Sequence, residues 1–422
     1  MRFGLIGDPL GHSRSRELHA LLADYEYRLW PVKPEALDAF LRAGGFDGIN
    51  VTIPHKRAVM AYLDQISPQA REVGCVNTVV RRADGKLFGD NTDLYGMEVA
   101  ARKAGLRLGE GKTLVLGSGG TSLTACALVR QAGGEAVVVS RRGENHYGNL
   151  ERHADARWLI NATPVGMYPQ VEESPVDLRR LPALEGVLDV VYNPLRTRLT
   201  QQAQSLGLPC GDGLTMLVYQ AVRACELFTG RPVPPQRIQR AQRLLRSQAM
   251  NVVLVGMPGV GKSTVGALVG RRLGREVVDL DAQIAAQAGM DIPQIFAREG
   301  EAGFRAREAE TLRRFALEGG RVLVTGGGAV LEAQNRLNLR ANGWVVHLAR
   351  PLDALPLEGR PLSRDRAALK DMWRRRAPLY AACADAVYDN TKTPDACAGA
   401  IEEGWYEVLG AQRAQSEPAG RA

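Results

Sequence analysis

Short apolar runs alternate with helical stretches along most of this chain, and the runs tend to end on glycine or on small polar residues. FGLIG at 3–7, TLVLG at 113–117 and VVLV at 252–255 have the continuous apolar character of buried parallel strands. GINVTIPHK at 48–56 reads as a strand carried to Pro54 and Lys56. AVVVSRR (136–142), WLINATPVGM (158–167) and LDVVYNP (188–194) read as further strands with their loops. Helical spacing predicts helices near 17–23, over 214–227, from the TGRPVPP turn at 229–235 to residue 248, and over 265–273. This alternation predicts an α/β fold.

VVLVGMPGVGKST at 252–264 carries the strongest local signal. Gly256, Gly261, Lys262 and Ser263 satisfy G-x-x-x-x-G-K-S between an apolar strand and a helix, the context a phosphate-binding loop requires. Glycines there let successive backbone N–H groups turn inward, and the helix N-terminus adds positive dipole. Lys262 then reaches the β/γ-phosphates of a nucleotide, and Ser263 a magnesium ion.

At 422 residues the chain exceeds one ordinary domain and predicts two or three. Its 45% hydrophobic and 24% charged content is that of a soluble globular protein, and no apolar run approaches the ~18 residues of a membrane span. The first apolar run is too short for a signal peptide and reads as a strand. The six cysteines lie far apart with no C-x-x-C, and the histidines do not pair with them at zinc-ligand spacing. They predict isolated reduced thiols and a cytoplasmic protein. The net charge of +8 comes from arginines spread along the chain without a long basic block, which points to anionic small substrates rather than nucleic acid. Residues 411–422 carry no large apolar side chain and predict a disordered tail.

In the first half, Ser13, Ser15, Thr52, Lys56, Asn77 and Asp93 fall at successive predicted strand ends, where α/β sheets bind ligands. A second glycine turn, GKTLVLGSGGTS at 111–122, joins a strand to a helix. Its Gly117-x-Gly119-Gly120 departs from the full G-x-G-x-x-G, with the small Ser122 at the sixth position. The next strand ends in Ser140, Arg141 and Arg142, where an NAD-binding fold places an acid. Two guanidiniums without a carboxylate favour the extra phosphate of NADP(H); a solvent-exposed basic turn is the plainer alternative.

Taken in order, HSRS, NVTIPHK, VNT, GDNTD, GSGGTS, NATPVGM and DGLTMLVYQA make residues 1–248 resemble shikimate dehydrogenase. GMPGVGKST, VVDLDAQI, GFR at 303–305, TGGGAV, GRPL and RAPLY make residues 251–405 resemble shikimate kinase. The resemblance implies a two-lobed dehydrogenase with a Rossmann-like NADP-binding lobe, followed by a P-loop kinase domain with a parallel sheet. It implies a substrate-binding and catalytic lobe (1–93 with 213–248), an NADP lobe (94–212), a kinase domain (249–410) and the tail. The implied reactions are reduction of 3-dehydroshikimate to shikimate with NADPH, then phosphorylation of shikimate with ATP and Mg²⁺. The product of the first would be the substrate of the second.

By the same resemblance, Lys56 and Asp93 would handle the proton of the reduction. Ser13 and Ser15 would hold the substrate carboxylate, and Thr52, Asn77 and Gln220 its hydroxyls. Tyr192 and Gly213 would line the substrate and nicotinamide site. Gly117, Ser118, Gly119, Gly120 and Thr121 would cradle the pyrophosphate of NADP, with Ser140, Arg141 and Arg142 at its extra phosphate. In the kinase, Gly259, Val260, Gly261, Lys262, Ser263 and Thr264 would hold ATP, joined by Arg360 from a lid. Asp281 would orient the nucleophilic hydroxyl, and Arg305 and Arg376 would grip the shikimate carboxylate. Gly327 would allow close backbone approach, and Ser263 with Asp279 would serve Mg²⁺.

The chain departs from the family pattern in places. Arg16 stands where proline is usual, and His55 where another residue is usual. The segments 142–158 and 348–380 are short, and 350–360 offers no counterpart of the arginine that packs on adenine. Two alternatives follow: a quinate/shikimate dehydrogenase fused to a kinase of a related polyol, or an inactive shikimate-sensing regulator. Lys56, Asp93, Lys262 and Asp281 argue against the second. The expected partners are small molecules, with neither nucleic acid nor membrane, and a homodimer is left open.

Overall fold

A computed structural model of the chain describes residues 1–11, 13–356 and 366–410. Arg360 and the tail at 411–422 lie outside the described residues. The chain divides into two compact units, Met1–Asn193 with Thr197–Leu244, and Pro194–Arg196 with Leu245–Ala422. No described helix is long and apolar enough to cross a membrane.

The first unit carries two sheets. One is built from β1 (Phe3–Gly7), β2 (Tyr27–Pro31), β3 (Gly48–Val51), β4 (Gln65–Ile66), β5 (Thr78–Arg81) and β6 (Leu87–Asp90), in the order β2-β1-β3-β5-β6-β4. β1 is parallel to both neighbours, whereas β5 runs antiparallel to β3 and β6. Every residue of β1 is buried, as its unbroken apolar run predicts. The strand expected over 48–56 stops at Val51, and residues 52–56 form a turn instead. His55 pins that turn: it is buried, and its Nε2 donates to the Val32 carbonyl at 2.6 Å, just beyond β2.

The second sheet is wholly parallel, with β7 (Lys112–Leu116), β8 (Glu135–Val139), β9 (Trp158–Asn161), β10 (Gly186–Asp189) and β11 (Cys210–Gly211) in the order β11-β10-β9-β7-β8. Between β8 and β9 the chain makes only the short 3-10 turn Leu150–His153, which accounts for the shortness of that segment. Helices Thr92–Lys103 and Gly213–Thr229 pack closely through Gly96, where a Cβ would stand 2.5 Å from Met216 O.

The second unit holds a third parallel sheet: β12 (Asn251–Val255), β13 (Val277–Asp279), β14 (Val322–Val324), β15 (Gly343–Ala349) and β16 (Ala386–Asp389), ordered β13-β14-β12-β15-β16. β12 lies at its centre and is buried throughout. The P-loop leaves the end of this strand, at the centre of the sheet, where α/β proteins bind ligands.

Candidate active sites

In the first unit, Lys56 sits on the turn after β3 and Asp93 in the first turn of Thr92–Lys103. Lys56 Nζ donates to Asp93 Oδ2 at 2.6 Å, and the two side chains keep 21% and 13% of their surface exposed. Burial disfavours the ammonium, but the charge and hydrogen bond of Asp93 outweigh it and leave the Lys56 pKa raised. The lysine is therefore protonated near neutrality. Asn91 caps this helix by accepting from Leu94 N, and its amide donates to Cys75 O at 3.0 Å.

In the same unit, Ser13 Oγ and Ser15 Oγ lie 3.0 Å apart at the start of helix Ser15–Leu22. Thr52 opens the turn that carries Lys56, and its N–H donates to Ile6 O in β1. Asn77 directly precedes β5 and is buried. Gln220 lies on Gly213–Thr229, and its amide donates to Leu217 O of its own helix. Tyr192 follows β10; burial pushes its pKa up and the charge of Arg14 pulls it back. Arg14 is thus a neighbour of Tyr192 that the sequence reading passed over, although it stands between the two serines. Gly213 begins its helix where a Cβ would be 2.2 Å from Val190 O, so only glycine fits.

In the second sheet, β7 ends in a glycine turn that leads into a helix. Gly117 has φ +110, which glycine alone adopts readily, and its N–H donates to Val139 O. Helix Gly120–Gln131 starts without a side-chain cap, so its first N–H groups are available to an anion. The space beside Gly119 is open, and Ser118 and Thr121 flank the turn. Ser140, Arg141 and Arg142 follow β8. Both arginines are exposed and hold no ion pair or hydrogen bond among the described residues. These features fit NADP.

In the second unit, Gly256, Gly259 and Gly261 all take positive φ, as a loop turning its amides inward demands. Helix Lys262–Leu273 follows, with Thr264 in its first turn, and Asn390 Nδ2 supports the loop by donating to Val260 O at 2.7 Å. Lys262 is buried, with Nζ donating to the carbonyls of Gly256 and Met257 at 2.9 and 3.1 Å. Ser263 Oγ donates to Asp279 Oδ2 at 2.9 Å, and the other Asp279 oxygen caps helix Leu280–Ala288. No group of three metal-ligating side chains occurs among the described residues. A magnesium ion beside Ser263 and Asp279 would complete its shell with phosphate and water oxygens, which suits that ion.

Facing the loop, Asp281 has a buried Oδ1 without a partner. Burial, then the like charge of Asp279, raises its pKa against the pull of Lys262 and Arg305. Gly326, Gly327 and Gly328 bring backbone against this floor; a Cβ on Gly328 would be 2.4 Å from Arg305 Nη1. Arg376 Nη1 and the Tyr380 hydroxyl both donate to Gly327 O, at 2.9 and 2.6 Å. The sequence reading missed Glu308, which accepts from Arg305 Nη1 at 2.6 Å while its Oε1 is buried and unpartnered. The i,i+3 spacing of Arg305 and Glu308 on one helix was its available signal.

Family models match in the same places. The shikimate dehydrogenase substrate binding domain matches residues 5–79, the shikimate 5′-dehydrogenase C-terminal domain residues 213–241, and shikimate kinase residues 258–405. A shikimate dehydrogenase (NADP(+)) of Thermus thermophilus is 37% identical over 260 residues, covering 58% of this chain and 98% of that protein. The chain belongs to the shikimate dehydrogenase family. The chain carries, in addition, the region that matches shikimate kinase. A solved shikimate 5-dehydrogenase from Thermus thermophilus, in complex with NADP(H) and shikimate, is 35% identical with a TM-score of 0.52, over 58% of this chain and 99% of that one. A chorismate mutase/shikimate 5-dehydrogenase fusion protein from Clostridium acetobutylicum is 31% identical with a TM-score of 0.54, over 58% and 96%. A quinate dehydrogenase from Corynebacterium glutamicum, in complex with NAD, is 30% identical with a TM-score of 0.52, over 58% and 99%.

Proposed function

We propose that the chain catalyses two consecutive steps: NADPH-dependent reduction of 3-dehydroshikimate to shikimate, and ATP-dependent phosphorylation of shikimate to shikimate 3-phosphate. The observation that carries this reading is the presence, in one chain, of the Lys56–Asp93 pair and of a P-loop facing the unpartnered Asp281. The six free cysteines, five of them buried, support a reducing, cytoplasmic setting.

In the first step NADPH supplies the hydride. Lys56 donates a proton to the ketone oxygen as negative charge develops there, and Asp93 orients the ammonium and offsets its charge. Ser13 and Ser15 direct hydroxyls at the carboxylate. Thr52, Asn77 and Gln220 meet the hydroxyls, and Tyr192 and Gly213 line the nicotinamide side. In the second step ATP supplies the phosphoryl group, and a magnesium ion held at Ser263 and Asp279 would offset its charge. Lys262 exchanges its two carbonyl partners for phosphate oxygens, while the free oxygen of Asp281 accepts the proton of the attacking hydroxyl. Arg305 and Arg376 hold the carboxylate, and Gly327 lets the backbone approach the ring.

Separable defects test the reading. Lys56→Ala abolishes NADPH oxidation with 3-dehydroshikimate and spares ADP formation from supplied shikimate; Lys262→Ala does the reverse. Loss of both activities in either folded variant refutes two independent sites. Quinate with NAD is the second reading, favoured by the likeness to a quinate dehydrogenase, and comparing kcat/KM for quinate with NAD against shikimate with NADP in the unmodified chain decides it.

A further inference from the structure

The first site is backed by a set of buried polar groups of which only Asn77 enters the chemistry above. The Tyr27 hydroxyl donates to Asn50 Oδ1 at 2.7 Å, and Asn50 Nδ2 donates to Thr78 Oγ1 at 3.0 Å. Thr78 Oγ1 lies 3.2 Å from Asn77 Oδ1 and 3.2 Å from Thr92 Oγ1. Asn77 Oδ1 also accepts from the Thr92 backbone N–H at 2.7 Å and lies 3.2 Å from the Thr92 hydroxyl. His19 stacks on Tyr27 at 3.9 Å, and its Nδ1 lies 2.6 Å from the Tyr25 hydroxyl. All of these residues except Tyr25 lie in the first unit's buried interior, with Asn50 at 6%, Thr78 at 0% and Asn77 at 4% exposure.

The donors and acceptors give the chain a direction. Asn50 receives from Tyr27 at its oxygen, so its nitrogen must point to Thr78. Thr78 then accepts, and its single proton goes onward to Asn77 Oδ1 or to Thr92. In both cases Asn77 Oδ1 is held by the Thr92 N–H and at least one hydroxyl. The Asn77 amide cannot flip without placing NH₂ against that N–H, which costs a buried hydrogen bond and leaves donors unsatisfied. Its NH₂ end has no protein partner among the described residues and so faces the cleft as a donor. The Thr92 N–H that holds the oxygen belongs to the residue before Asp93, so the same clamp sets the helix end that carries the partner of Lys56.

We propose that Asn50 and Thr78 are positioning residues for the reduction, fixing Asn77 as a donor-only contact to a substrate hydroxyl oxygen and tying that contact to the seating of Asp93. The proposal rests on the reading of the first site as a 3-dehydroshikimate reductase. It deepens that reading by naming residues that touch neither substrate nor cofactor.

The test is a double-mutant cycle on the full chain with 3-dehydroshikimate and NADPH. Thr78→Val keeps the shape and removes the hydroxyl. It raises KM for 3-dehydroshikimate about tenfold, with KM for NADPH unchanged, and Thr78→Ser restores the original value. In an Asn77→Ala background, Thr78→Val adds almost nothing, because the contact it positions is already gone. An equal, additive loss in both backgrounds overturns the proposal, as does a Thr78→Val enzyme with unaltered KM. If Thr78→Val does not fold, Asn50→Asp serves: an acid there cannot donate to Thr78, so the same non-additivity with Asn77→Ala is expected, and additivity refutes it. Absence of turnover in the unmodified chain overturns the reading itself together with the proposal, whereas turnover with additive variants overturns only the network.

Discussion

Asp281 and Glu308 each turn a buried, unpartnered oxygen toward one residue, Gly326. A Cβ on that glycine would stand 2.7 Å from Asp281 Oδ1 and 3.0 Å from Glu308 Oε1. Two carboxylates held this way are satisfied only when something arrives that supplies donors, and hydroxyls of a polyol are suitable donors. Arg305 and Arg376 lie beside them and balance the charge: both lower the pKa of Glu308, which burial, first, and Asp281 raise.

Gly326→Ala therefore pushes a methyl group into the floor of the kinase site. A displacement of about 1 Å at reacting groups costs on the order of a hundredfold in rate. Phosphorylation of shikimate by Gly326→Ala should fall by about that factor, with NADPH oxidation unchanged. Steady-state assays of both activities in one preparation check it; a kinase rate within twofold of the parent would show that the floor yields.

The same site sets a pH dependence. Asp281 must be ionised to accept the proton of the attacking hydroxyl, and its pKa is raised by burial and by Asp279. Activity is thus lost as pH falls through that raised value, so the acid limb of kcat/KM for shikimate should lie above the usual aspartate range. A profile from pH 3 to 8 with a limb at or below 3.8, the ordinary aspartate value, would contradict the assignment of Asp281 as the proton acceptor.

Much of this was legible from residue order alone, and the reasons are physical. A P-loop and a strand-end Lys56 are local: glycine spacing and the flanking apolar run determine them within a dozen or so residues. What escaped were contacts made by side chains far apart in sequence. Asn50 meets Thr78 across neighbouring strands 28 residues apart, and Glu308 gains its meaning only when Gly326 and Asp281 are folded against it. The strand limit at Val51 was misjudged because the turn that follows is held by His55 against the carbonyl of Val32, 23 residues away in sequence. Arg360 lies outside the described residues, and its role rests on its sequence motif.

Cofactor choice turns on the guanidiniums after β8. Arg141 and Arg142 are exposed, and no carboxylate among the described residues pairs with them. Arg141→Ala should reduce the kcat/KM preference for NADPH over NADH by about tenfold or more, chiefly through KM, as loss of a charge-assisted phosphate contact requires. Equal efficiency of the unmodified enzyme with NADH and NADPH would remove the basis for the prediction.

The last prediction concerns Asp189, which ends β10 beside Asn161 of β9 and leads directly to Val190 and Tyr192. Its carboxylate accepts from Thr197 Oγ1 at 2.6 Å, Asn161 Nδ2 at 3.0 Å and Val191 N at 3.0 Å. Burial nonetheless dominates and pushes its pKa up to about 6, the hydrogen bonds pulling it back only in part. A carboxyl group with a native pKa above its unfolded value binds the extra proton in the folded state. Its contribution to stability is complete below about 3.8 and is lost as pH rises through about 6. Asp189→Asn keeps three of the polar contacts within reach, because the Thr197 hydroxyl can turn to accept, and removes the titration. The stability of the variant relative to the parent should improve between pH 4 and pH 7, by up to about 3 kcal/mol. Urea denaturation of both proteins across that range, followed by loss of NADPH-dependent activity, measures it. A stability difference that stays constant with pH would show that Asp189 is ionised in both states, held by its three donors against the cost of burial.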